Sequence, residues 1–69
     1  MKVSARNRLK GTVKQLVPGS VNTEVIVEVA PGVEVVSVIT KSSAESLALA
    51  VGSEVYTVVK SSDVMIAID

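Results

Sequence analysis

The 69-residue chain has no cysteine and no histidine. That excludes disulfides, a cysteine nucleophile, and any histidine-based triad or zinc site. Phenylalanine and tryptophan are also missing, and Tyr56 is the single aromatic residue. A single-strand nucleic-acid binder stacks bases on several rings, and one ring does not make such a platform. Net charge is missing too, because seven Lys and Arg balance seven Asp and Glu. Bulk electrostatics therefore argue against a polybasic nucleic-acid binder. No apolar run approaches the ~20 residues of a membrane span, since Ser, Thr, Glu or Lys interrupts each one. The first basic residues lead into a polar stretch, unlike a signal peptide. The expectation is a soluble cytoplasmic protein with one domain over residues 1–69.

A chain this short buries only roughly 60% of the surface that its unfolded form exposes, so a lone monomer is marginal. Disulfides and a metal staple are excluded, which leaves oligomerisation. Hydrophobic residues make up 48% of the chain, more than one small core needs. The surplus is expected at subunit interfaces.

Valine fills sixteen positions, and Ile and Thr add four each, a composition that favours strands. A first strand is expected over residues 8–17, with Leu9, Gly11, Val13 and Gln15 on one face and Lys10, Thr12, Lys14 and Leu16 on the other. Pro18-Gly19-Ser20 is a turn signal. A second strand, residues 21–29, places Val21, Thr23, Val25, Val27 and Val29 on one face, the period-two pattern of a half-buried strand. Ala30-Pro31-Gly32 closes a hairpin. The third strand, residues 33–40, is apolar on both faces after Glu34 and should be covered on both.

The period then changes. Ala44, Leu47, Ala48 and Val51 form one stripe of a short helix, expected over residues 43–50. Ser42 and Glu45 read as its capping box and Gly52 as the left-handed residue past its end. Two more strands are expected, over residues 54–60 and 64–68. Three strands, a helix and two strands is the order of the OB-fold, a mainly β, five-stranded Greek-key barrel.

Three polar clusters stand out against the valine. They are Ser4-Ala5-Arg6-Asn7, Thr40-Lys41-Ser42-Ser43 and Lys60-Ser61-Ser62. All are rich in hydrogen-bond donors and none contains a carboxylate, a chemistry that suits an oxyanion. Each also has a plain structural reading. Ser42 and Ser43 can simply cap a helix, and Arg6 and Lys60 can simply be solvated charges. Glu24, Glu28 and Glu34 read as an exposed sheet face, not as an acid–base pair.

At these clusters the chain resembles the molbindins, small stand-alone members of the Mop family of molybdate-binding proteins. The resemblance is carried by Ser4-Ala5-Arg6-Asn7 with Leu9-Lys10-Gly11, and by Val21-Asn22-Thr23-Glu24-Val25. It continues through Ile39-Thr40, Ser43-Ala44-Glu45 and Leu47, then Val58-Val59-Lys60-Ser61 and Asp63-Val64-Met65. It implies an OB-like barrel assembled as a homohexamer, a trimer of dimers, that binds molybdate or tungstate between subunits. It implies that Ser4 and Arg6 of one subunit meet Thr40, Ser43 and Lys60 of a neighbour. Ala5, Ser42 and Ser61 lie beside these, the serines as backbone donors. A second oxyanion site near the threefold axis would use backbone around Ser20, Val21 and Asn22. No cofactor and no direct metal-cation ligand is implied.

Molybdate is a tetrahedral dianion without a proton at neutral pH, so a donor-only pocket satisfies all its oxygens. Hydrogen phosphate brings a proton that such a pocket leaves unpaired, at a cost of about 1–3 kcal/mol. The residues alone leave other readings open. One is an OB-type interaction or nucleic-acid-binding module with no oxyanion, and another is molybdenum-pterin binding. An enzyme is not expected, because no base is paired with a nucleophile and no metal-ligand cluster is evident.

Overall fold

A computed structural model describes all residues 1–69. The chain runs through β1 (Asn7–Pro18), β2 (Asn22–Ala30), β3 (Val33–Thr40), the short helix α1 (Lys41–Ser46) and β4 (Glu54–Val59), then a 3-10 turn, Ser61–Asp63. The strands form one antiparallel sheet in the order β3-β2-β1-β4.

The strand β1 serves two neighbours. Its first half, Asn7–Thr12, pairs with β4, and its second half, Thr12–Pro18, pairs with β2. Thr12 belongs to both ladders, and Gly11 stands just before it. A Cβ there would sit 2.6 Å from the Glu28 carbonyl oxygen and 2.6 Å from Val27 Cγ1, so only glycine lets the sheet curl this tightly.

A bulge follows at once. Val13 pairs with Val27 but Gln15 pairs with Ile26, leaving Lys14 as the extra residue. The bulge changes the phase of the strand, since two residues there oppose one on the partner. Val13 is fully buried and Leu16 also packs on the core, while Gln15 faces solvent. The strictly alternating faces expected for β1 therefore hold only up to Val13.

In β2 the alternation holds from Thr23 to Glu28, and the register with β3 shifts at Val29. Thr23, Val25 and Val27 are buried, with Glu24, Ile26 and Glu28 opposite and more open. Val21 precedes the strand and is exposed. The core proper is Val13, Val25 and Val27, ringed by the half-buried Leu16, Val29, Ile39, Leu49 and Val55.

Three expectations need correction. The helix spans Lys41–Ser46, earlier and shorter than expected. Its N-cap is Thr40, whose hydroxyl accepts from the Ser43 N–H at 3.1 Å, so no Ser42–Glu45 capping box forms. Its end is closed at Ala48, with φ of 51°, well before Gly52. The Ala48 N–H donates to the Glu45 carbonyl and the Leu49 N–H to the Ala44 carbonyl, the two bonds of a Schellman motif. Next, β3 is an edge strand with Val36 58% and Val38 63% exposed, so one chain covers only one of its faces. Last, residues 64–68 form no strand, and the sheet has four strands where five were expected.

Candidate functional site

The sheet register builds the donor clusters into two patches. In the first, Asn7 pairs with Val59, which sets Ser4-Ala5-Arg6 beside the residues that leave β4. Ser4, Ala5, Lys60, Ser61, Ser62 and Asp63 line one open cleft there, floored by Val58. Arg6 is exposed next to it and does not line it. The short turn after β4 fans out the polar side chains. Lys60 accepts at its carbonyl from the Asp63 N–H at 2.9 Å, and Ser61, Ser62 and Asp63 all face solvent.

The second patch gathers at the junction of β3 and α1. Thr40 Oγ1 donates to Ser43 Oγ at 2.7 Å and lies 3.3 Å from Ser42 Oγ. Because Thr40 spends its proton on Ser43, the Ser43 hydroxyl proton remains to be donated outward, and such a relay polarises it. Asn22 pairs with Thr40 across the β2–β3 ladder, and the Lys41 N–H donates to the Val21 carbonyl at 2.8 Å. Val21 and Asn22, read from the sequence with Ser20 as a separate site, thus border the Thr40–Ser43 cluster in the same chain.

No side-chain hydrogen bond joins the two patches within one chain. The structure therefore brings Ser4 together with Lys60 and Ser61, and Thr40 with Ser42 and Ser43. It does not bring Arg6, Ser4 or Lys60 to Thr40 or Ser43.

Asp63 was missed from the sequence. It directly follows the Lys60-Ser61-Ser62 cluster and lines the same cleft. The first patch is therefore not free of carboxylate, and Asp63 can accept the proton of hydrogen phosphate there. A one-residue extension of the cluster was the available signal.

A curled, mainly β sheet with one short helix and exposed donor patches at its strand ends is the frame of a small ligand-binding domain. The chain matches the TOBE domain over residues 3–66 and belongs to that family. Within it, the chain is 48% identical over 66 residues to molybdenum-pterin-binding protein 2 of Clostridium pasteurianum, covering 96% of this chain and 97% of that one. It is 50% identical over 66 residues to the molybdenum transport protein ModE of Azotobacter vinelandii, but spans only 24% of that longer protein. Among solved structures, MopII from Clostridium pasteurianum superposes with a TM-score of 0.91 at 46% identity, over 97% of this chain and 100% of that chain. A molybdate-binding protein from Sporomusa ovata also gives 0.91, at 35% identity, over 99% of this chain and 100% of that one. The fold is thus the OB-like fold of the Mop proteins, as the sequence resemblance implied.

Proposed function

We propose that the chain binds molybdate or tungstate, as a cytoplasmic store of the oxyanion and not as an enzyme. The observation that carries the reading is the pair of exposed donor patches, set on a chain that aligns almost end to end with molybdate-binding proteins. In this reading the site forms between copies of a homohexamer. Ser4, Arg6 and Lys60 of the first patch close on Thr40 and Ser43 of a neighbour's second patch. Backbone N–H groups of Ser42 and Ser61 complete the shell beside Ala5. A further site uses the backbone of Ser20, Val21 and Asn22.

The chemistry supports a bare oxyanion. Arg6 and Lys60 offer charge-assisted donors, and Ser43 offers a polarised hydroxyl. A molybdenum-pterin is the second reading, because several relatives carry that name. Its ring would have only Tyr56 to lie on, which is 52% exposed and lies outside both patches.

Calorimetry with molybdate, tungstate, sulfate and phosphate, paired with native mass spectrometry, tests the proposal. Heat and ligand mass with molybdate and tungstate are the expected result. No heat with any oxyanion at micromolar protein would overturn it.

A further inference from the structure

The cleft of the first patch is lined by one cation and one anion. Lys60 brings a positive charge and Asp63 a negative one, and the other lining residues are uncharged. A dianion approaching that lining meets no net charge. The chain as a whole offers none either, since its charges balance at neutral pH. Long-range attraction must therefore come from cations that stand beside the cleft without lining it.

Arg8 holds such a position. It lies directly across from Val58 in the β1–β4 ladder, and Val58 floors the cleft. Cross-strand partners project to the same face of a sheet, with Cβ atoms about 4.5–5.5 Å apart. Arg8 and Val58 are both exposed, so the shared face is the outer one. The Arg8 side chain thus rises at the rim of the cleft floor, yet it does not line the cleft.

Its charge is also uncommitted. The ion pairs of the chain are Lys10–Glu54 at 4.0 Å and Lys14–Glu28 at 3.8 Å. The next two cations along β1 are therefore each set against a carboxylate, and Arg8 is not. Nor does its guanidinium make a hydrogen bond within the chain. Arg6 stands beside the cleft as well, but it precedes β1 and the functional reading already gives it a bond to the anion. Arg8 is held by strand pairing at a fixed place, where its field offsets that of Asp63.

We propose that Arg8 is a steering residue. It draws the oxyanion into the first patch and sets the association rate, without touching the anion once bound. The inference rests on the oxyanion reading above and adds to it a residue that acts only on entry.

Kinetic calorimetry with molybdate on the full chain yields both rate constants and tests this at about 10 mM and about 0.5 M salt. A unit charge roughly 10 Å from a dianion in water raises its local concentration about threefold at the lower salt and hardly at all at the higher. Arg8→Gln should therefore slow association about threefold at low salt, match the parent at high salt, and leave the dissociation rate unchanged. Arg8→Lys should restore the parent rate. Lys14→Gln removes the same charge six residues along β1, about 20 Å away, and should associate like the parent. Equal slowing in Lys14→Gln would overturn the proposal, because net charge alone would then be the cause. Faster dissociation in Arg8→Gln, or a loss that persists at high salt, would overturn it too, since Arg8 would then hold the bound anion. Molybdate heat in the parent with parent-like association in Arg8→Gln sinks the steering alone. No molybdate heat in the parent sinks the functional reading, and the steering with it.

Discussion

Ser43 illustrates how one residue serves stability and chemistry with different atoms. Its N–H goes to Thr40 Oγ1 at 3.1 Å and caps the helix, while its Oγ accepts from the same hydroxyl. Its hydroxyl proton is left without an acceptor in the chain. In Ser43→Ala the cap survives and the donor is lost, so molybdate affinity should fall while ligand-free stability changes little. Lys60→Ala should behave alike, since Lys60 is exposed and makes no ion pair. If both touch one anion, their effects on binding are non-additive in a double-mutant cycle. Additive effects by calorimetry would return both to plain structural roles. Arg6→Ala should weaken molybdate binding by roughly 1.5–3 kcal/mol per charged contact removed, and leave the sheet intact because Arg6 precedes β1. Parent-like affinity in that variant would remove Arg6 from the site. Asp63 acts in the opposite direction. Its charge in the cleft opposes a dianion, so Asp63→Asn should tighten molybdate binding by about 1 kcal/mol, less at high salt. Weaker binding in that variant would show that Asp63 holds a donor in place instead.

At the scale of elements, the period-two pattern of β2 and the turn at Pro31-Gly32 were legible because their physics is local. Gly32 takes φ of 74°, as that turn requires. What was not legible depends on distant partners. The Lys14 bulge is visible only in the register with β2, and Gly11 reads as an ordinary strand residue until Glu28 crosses it. Gly11→Ala should therefore destabilise by about 1–3 kcal/mol in denaturant titration, because the obstructing atom is a backbone carbonyl that cannot swing away. The helix was misplaced for a different reason. Its stripe of Ala44, Leu47 and Ala48 runs past a true end set by Ala48 in the left-handed region, a position that sequence rules reserve for glycine. An L-residue there costs about 1–2 kcal/mol, part of which Ala48→Gly returns to the unfolded chain as entropy. A net gain of about 0.5–1 kcal/mol is expected, and a loss would mean that the Ala48 methyl contributes contacts. The donor clusters were readable as clusters, because each is contiguous. Their division into two patches was not, since it follows from which strand ends the sheet sets side by side.

The whole molecule carries an imbalance. Of the 48% of residues that are hydrophobic, only Val13, Val25 and Val27 are buried in one chain. Val36, Val38, Leu47, Val51, Met65, Ile66 and Ile68 are each more than half exposed. That much open apolar surface marks interfaces. A folded sample at micromolar concentration should therefore scatter as a multiple of 7.2 kDa, with no stable single chain. Because assembly and folding are then one equilibrium, the melting temperature should rise with protein concentration. Molybdate should add to this. A ligand held only by the assembled state, at about 100 times its dissociation constant, stabilises by about 2.7 kcal/mol per site. The two effects separate by titration, since Arg6→Ala should lose the molybdate increment and keep the concentration dependence. A sample that melts at one temperature across a hundredfold range of protein, with a scattering mass of 7.2 kDa, would show that the exposed valines serve no partner copy.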